Sequence, residues 1–144
     1  MGHMSVVYGN IMGAAWKTED HHRLHRLNNE ILNSLSDTDT YPWITKNMFN
    51  CPDPHNIRMY REQVITFGAS YKEIEYEWSE WLEKFEAILK KLYWTSTTIH
   101  LNTELVGTHT YEWLFNFDQM DNWFLDNPQP INSWNFEGGP RKFF

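Results

Sequence analysis

The sequence predicts an α+β domain, in which two helices pack on one face of a mostly antiparallel sheet of about four strands. Four segments rich in β-branched and aromatic residues indicate the strands. Two longer segments, in which apolar residues recur every three or four positions, indicate the helices. The elements follow in the order strand, helix, strand, helix, strand, strand, and the 144 residues suit a single domain.

The N-terminal half contains the first three elements. β-Branched side chains near the start predict a strand over residues 6–12. Thr18 is a candidate N-cap, because acidic residues and leucines at helical spacing follow it, and the predicted helix covers residues 19–35. A proline-rich stretch with a helical turn near residues 57–62 leads to a second strand over residues 63–68.

The segment YKEIEYEWSEWLEKFE, residues 71–86, is both acidic and aromatic. Its apolar side chains form one stripe of a helix of about 20 residues. The stripe consists of Tyr71, Ile74, Trp78, Trp81, Leu82, Phe85, Ile88, Leu89 and Leu92. Ser70 is a candidate N-cap, and Glu73 would complete a capping box. Most of the glutamates lie outside the stripe on a solvated face, and so does Tyr76.

The C-terminal part predicts a hairpin followed by a tail. Residues 93–104 and 108–117 have strand composition, and the short segment between them predicts a turn. One face of the second strand carries, by alternation, Tyr111, Trp113, Phe115 and Phe117. The tail, rich in Asn, Asp, Pro and Gly, should wrap the domain through aromatic anchors and become flexible over residues 138–144. Its anchors are Trp123, Phe124, Trp134 and Phe136.

Charge and cysteine content exclude several function classes. The net charge of -7 disfavours binding to nucleic acid or to an anionic membrane, and it fits either simple solubility or a basic protein partner. Cys51 is the only cysteine, which excludes a disulfide within the chain and favours a reducing, cytoplasmic setting. No apolar run is long enough to span a membrane, and we expect no signal peptide because none is visible. Residues 1–3 resemble a vector remnant, so the domain should cover residues 4–137.

Catalytic and metal-binding motifs are not found. His21 and His25 are four residues apart on the first helix and could form half of a zinc site, with further ligands from His55, His100 or His109. A polar helix edge is the favoured interpretation of that pair. Cys51 lacks a recognisable base and is interpreted as structural. We therefore predict no enzyme, no cofactor and no metal.

One alternative is a small-ligand module or an enzyme built over the aromatic strand face. Its pocket would form around His100 and Trp113, with Phe115 in the wall and His109 as a second candidate polar group. A half-buried or surface histidine is the more usual role of a residue such as His100 in the middle of a strand.

Several short motifs within residues 60–113 carry a family resemblance. They are an FGAS turn, an EWxxWLxKFE helix, and a hairpin that contains HLxTEL and TYEW. This block resembles the small immunity proteins of bacterial polymorphic-toxin systems. The resemblance implies a compact acidic α+β domain that binds a cognate toxin and blocks it without catalysis.

These observations together predict a cytoplasmic immunity protein that occludes the active site of a bacterial toxin. Aromatic side chains in an acidic setting are typical interface anchors, and an acidic face speeds the capture of a basic partner. The candidate contact residues are Tyr76, Glu73, Glu77 and Glu80, with Asp37 and Asp39 in the loop after the first helix. An exposed aromatic surface also fits a homodimer.

Overall fold

An antiparallel sheet of six strands is the framework of the part of the chain that the structure describes. This computed structural model describes residues 2–13, 21–51, 62–116, 130 and 133–144, with only the backbone of residues 21 and 22. The strands are β1 (Met4–Gly13), β2 (Phe49–Asn50), β3 (Val64–Lys72), β4 (Trp94–Thr103), β5 (Gly107–Phe115) and β6 (Trp134–Gly138). The helices are α1 (His21–Asn33) and α2 (Trp78–Leu89), and 3-10 turns lie at Lys46–Met48 and Ile74–Glu77. The order across the sheet is β2-β3-β1-β4-β5-β6.

The α+β class, the antiparallel sheet and the two helices are confirmed, but the predicted count of about four strands is wrong. One additional strand, β2, has only two residues, which is too short for a period-two pattern to be visible. The other, β6, lies in the Asn- and Gly-rich tail, where composition indicates a loop. It forms a strand because its backbone pairs with the outer edge of β5, from Phe115–Trp134 to Tyr111–Gly138.

Both helices pack on the same face of the sheet. On β1, β3, β4 and β5 most odd-numbered side chains are buried and join one cluster with the apolar residues of α1 and α2. The Phe85 ring of α2 lies 5.2 Å from the Phe67 ring and 5.4 Å from the Trp113 ring. The opposite face has no helix over it among the described residues, and Tyr8 and Leu114 are exposed there. Among the described residues the sheet therefore has one face covered by helices and one open face.

The start of the second helix differs from the prediction. Ser70 is not an N-cap, because β3 continues to Lys72 and Ser70 pairs with Val6 of β1. The 3-10 turn follows, and α2 begins only at Trp78, so the helix has 12 residues rather than about 20. Tyr71 and Ile74 are buried in this arrangement, as they would be in a longer helix. The apolar stripe therefore could not distinguish a strand that leads into a helix from a helix alone.

The remaining predicted elements correspond closely to the structure. The predicted strands over residues 6–12, 63–68, 93–104 and 108–117 correspond to β1, β3, β4 and β5, and the first predicted helix corresponds to α1. Thr18, Phe117, Trp123, Phe124 and all but one residue of the helical turn predicted at 57–62 lie outside the described residues.

The last residues of the chain return across the core. The Tyr111 hydroxyl donates to the carbonyl of Pro140 at 2.6 Å, and Arg141 forms an ion pair with Glu86 of α2. The Glu86 carboxylate also accepts a hydrogen bond of 2.9 Å from the indole of Trp113. The segment predicted as a flexible tail thus makes polar contacts to both β5 and α2.

Candidate functional site

Four of the predicted contact residues lie together where β3 gives way to α2. Strand β3 ends at Lys72, and Glu73 then adopts a left-handed backbone conformation with φ of 52°. This conformation is uncommon for a residue with a Cβ atom and turns the chain sharply. The 3-10 turn that follows leaves the Tyr76 side chain 57% exposed, beside Glu77. Local backbone geometry therefore presents these side chains to solvent before the helix begins.

An open pocket of about 290 Å³ lies at this corner of the molecule. It is lined by Tyr41, Lys72, Glu73, Tyr76 and Glu77, and we call it the Tyr41–Tyr76 pocket. Tyr41 comes from the loop after α1, far away in the sequence. The pocket thus combines two aromatic walls with two carboxylates and one ammonium group.

Negative charge at this corner is only weakly compensated. Burial raises the pKa of Glu77 above its ordinary value of 4.5, and the charges of Glu80, Glu73 and Glu75 raise it further. Among the described residues no ion pair engages Glu77, Glu80 or Lys72. Crowded carboxylates of this kind repel one another in the free protein, and a cation placed between them would relieve the repulsion.

Tyr41 is held rigidly at the edge of the pocket. Its hydroxyl donates to the carbonyl of Lys72, and its ring meets the Trp43 ring edge-on at 4.8 Å. Burial raises the pKa of Tyr41 to about 12, with the charges of Glu77, Glu75 and Glu73 acting in the same direction. The phenol therefore stays neutral near pH 7 and serves as an aromatic wall with an acceptor oxygen, not as a base.

Asp37 and Asp39 have different positions in the loop that carries Tyr41. Asp37 lies at the surface, 3.5 Å from the Lys46 ammonium. Asp39 accepts backbone hydrogen bonds from Thr40 and Ile44 and a 3.0 Å bond from Lys84. Burial alone would raise the pKa of Asp39, but these bonds outweigh it and hold the pKa below 3.8. Asp39 thus shapes the loop that delivers Tyr41, and its role as a contact residue stays a prediction.

The C-terminal residue extends the aromatic part of the site. The Phe144 ring stacks on the Tyr76 ring, with centroids 4.8 Å apart and planes 20° apart. Both rings are more than half exposed, at 60% for Phe144 and 57% for Tyr76. We define the acidic–aromatic surface as Tyr41, Glu73, Tyr76, Glu77, Glu80 and Phe144. Sequence reasoning does not single out Tyr41 or Phe144, because no local pattern links a loop or a chain end to a distant helix.

The structure does not form the alternative pocket around His100 and Trp113. Trp113 is fully buried on the covered face, and its neighbours Phe85 and Phe136 fill the space beside it. His100 lies on the open face, where it pairs with Thr110 through a 2.9 Å hydrogen bond. A strand alternates its side chains between two faces, so even and odd positions cannot line one pocket here.

His109, His25 and Cys51 have structural surroundings, whereas His55 and the side chain of His21 lie outside the described residues. His109 contacts the carbonyl of Val106 at 2.8 Å, and the Phe143 ring packs against it. His25 is fully buried on α1. Burial raises the pKa of the Cys51 thiol to about 11, which leaves it protonated near pH 7. In the described ranges no three His, Cys, Asp or Glu side chains are grouped so that they could hold a metal ion.

Neither α1 nor α2 combines the length and the apolar character that crossing a membrane requires. Comparisons with models of protein families, with curated proteins and with solved structures found no match to this chain.

Proposed function

We propose that this protein is a cytoplasmic immunity protein, which binds a cognate bacterial toxin through the acidic–aromatic surface and occludes the active site of the toxin. The observation that carries the proposal is the negative charge of Glu77 and Glu80 near the exposed Tyr76, which no ion pair among the described residues neutralises. Toxins that act on nucleic acids or phosphates need basic active sites, and an acidic surface is complementary to such a site.

The surface has the composition of a protein-binding hot spot. Tyrosine and other aromatic side chains dominate such sites, because they bury a large area and lose little rotamer entropy. Tyr41, Tyr76 and Phe144 supply this apolar area, and the glutamates around them supply the charge that steers a basic partner toward them. Both parts of an effective interface are thus present at one corner.

The surface is also preorganised. Lys84 holds the loop of Tyr41 through Asp39 and two backbone carbonyls, and Arg141 holds the C-terminal segment through Glu86. Side chains that are ordered before binding cost less entropy when the partner docks. Inhibition by occlusion needs no catalytic group on this chain.

The test identifies the partner and then asks whether it is inhibited. Proteins captured by the tagged chain in the source organism are identified, and the gene of each is expressed alone and together with this chain. The proposal expects one captured protein to arrest growth when expressed alone and to be harmless in the presence of this chain.

Matched charge variants locate the contact. Glu77→Gln/Glu80→Gln and Glu112→Gln/Glu137→Gln remove the same charge, the first pair at the start of α2 and the second pair on β5 and β6. The first pair should reduce protection against the toxin, and the second should leave it intact. A captured partner that is not toxic, or protection that both pairs reduce equally, would contradict the proposed function.

A further inference from the structure

We propose that the Tyr41–Tyr76 pocket receives the guanidinium group of an arginine side chain on the partner protein. This inference rests on the proposed function and specifies how the partner is recognised. The pocket lies within the acidic–aromatic surface and is open to solvent, so a side chain projecting from a docked protein can enter it.

The walls of the pocket favour a planar, delocalised cation. Tyr41 and Tyr76 line the pocket, and guanidinium groups stack on aromatic rings more readily than ammonium groups do. Glu73 and Glu77 provide two carboxylates, and a guanidinium group has enough donors to bond both while its plane lies against a ring. The Tyr41 hydroxyl already donates to Lys72, so its oxygen is oriented to accept a further donor.

The stacking of Phe144 on the Tyr76 ring supports the same occupant. Phe144 stacks on Tyr76, which restricts the rotation of the tyrosine side chain. Three residues earlier, Arg141 pairs with Glu86 and lies 4.8 Å over the Phe136 ring, which ties the C-terminal segment to α2 and β6. Phe144 is therefore a positioning residue for the pocket, although it does not line it.

Lys72 is the one cation among the pocket residues. Its ammonium group is an internal competitor of an incoming guanidinium group, because both are attracted by the same two carboxylates. Removal of the Lys72 charge should therefore strengthen binding, an effect that a damaged fold could not produce.

The probe for the test is N-acetyl-argininamide, with N-acetyl-lysinamide as the matched probe at equal ionic strength. Each is titrated into the ¹⁵N-labelled full chain, and amide shifts are followed by NMR. The expected result is saturable, millimolar binding with shifts centred on residues 41, 72–77 and 144. Argininamide should bind about two- to five-fold more tightly than lysinamide.

Variants with opposite expected effects make the test decisive. Glu77→Gln should weaken argininamide binding and Lys72→Gln should strengthen it, each by about two- to five-fold. Phe144→Ala should reduce the preference for arginine over lysine, and Glu137→Gln on β6 should change nothing. Equal shifts with both probes, at amides near surface carboxylates in general, would contradict the proposed arginine pocket. Submicromolar binding of free argininamide would contradict it too, because it would indicate a small-molecule site.

The outcomes separate this inference from the proposed function. If the toxin is captured and neutralised equally well by Glu77→Gln, Phe144→Ala and the unmodified chain, the arginine pocket is wrong and the immunity function stands. If argininamide binds as expected but no captured protein is toxic, the pocket stands and the immunity function is wrong.

Discussion

The Lys84 ammonium group lies 3.0 Å from a carboxylate oxygen of Asp39 and also donates to the carbonyls of Thr40 and Pro42, at 2.9 and 3.1 Å. A side chain on the flank of α2 thereby holds the loop that carries Tyr41 into the candidate site. The arrangement couples the stability of this loop to the geometry of the Tyr41–Tyr76 pocket.

Lys84→Ala should release the loop. Because the Lys84 and Asp39 side chains are about one-third exposed, at 32% and 28%, we expect a loss in the free energy of unfolding of only about 1 kcal/mol. The Ile44 amide donates a hydrogen bond to Asp39. Its hydrogen exchange should accelerate by more than the loss in the global free energy of unfolding explains. Lys91→Ala, an exposed lysine beyond α2, is the control; equal effects of both substitutions would show that Lys84 does not hold the loop.

Phe85→Ala should be among the most destabilising single changes in the core. The ring is fully buried and lies 5.1 Å from Trp81, 5.2 Å from Phe67 and 5.4 Å from Trp113, so its removal leaves a cavity between α2 and the sheet. We expect a loss of about 3–5 kcal/mol, measured by urea denaturation. Phe144→Ala removes the same ring from an exposed position and should cost well under half of that; similar losses would mean that the core is not centred on Phe85.

Glu77→Gln should stabilise the protein near neutral pH. The pKa of Glu77 is raised in the folded chain by burial and by neighbouring carboxylates, so the stability that this group contributes is present at low pH and is lost as the pH rises through its folded pKa. Replacing the carboxylate should therefore gain about 0.2–0.5 kcal/mol per like-charged neighbour at pH 7 and almost nothing at about pH 4. Urea denaturation at both pH values measures the difference.

Glu77→Gln should also weaken partner binding. The Glu77 carboxylate would then lower the stability of the free protein while it contributes to binding. Glu137→Gln serves as the control for the loss of one charge. A Glu77→Gln protein that is less stable than the parent at pH 7 would show that the carboxylate makes favourable contacts in the free protein.

The His3–Glu75 contact should make stability depend on pH. Their side chains lie 2.9 Å apart, although residues 1–3 are interpreted as a vector remnant. The hydrogen bond to Glu75 raises the pKa of His3 above 6.5, and its contribution is lost as the pH rises through that folded value. Burial would raise the pKa of Glu75, but hydrogen bonds from Thr103 and His3 outweigh it and lower the pKa below 4.5. The contribution of Glu75 to the free energy of unfolding is therefore lost as the pH falls through the lowered pKa.

The contact therefore stabilises the fold most between these two limits. His3→Gln should lower the free energy of unfolding at about pH 5.5, and the difference from the parent should shrink by about pH 8.5. His100→Gln on the open face is the control. A deficit of His3→Gln that is the same at both pH values would show that the protonated histidine is not the stabilising form.

Local patterns were sufficient for most elements of the fold. β-Branched and aromatic runs identified β1, β3, β4 and β5, and helical spacing identified α1 and the body of α2. The glutamates outside the apolar stripe indicated an acidic surface, and the exposure of Tyr76 agrees with its position outside that stripe. These features depend on contacts between near neighbours in the chain, so the sequence by itself determined them.

Tertiary structure decided which distant residues share a site. Tyr41 faces Tyr76 across the pocket because Lys84 holds its loop, and Phe144 joins the site by stacking on Tyr76. Pairing to β5 turned a loop-like tail into β6, and pairing to β1 extended β3 through Ser70, where the sequence indicated a helix cap. Strand pairing and side-chain contacts across many residues override local preference, because each adds hydrogen bonds and burial that no short window of sequence contains.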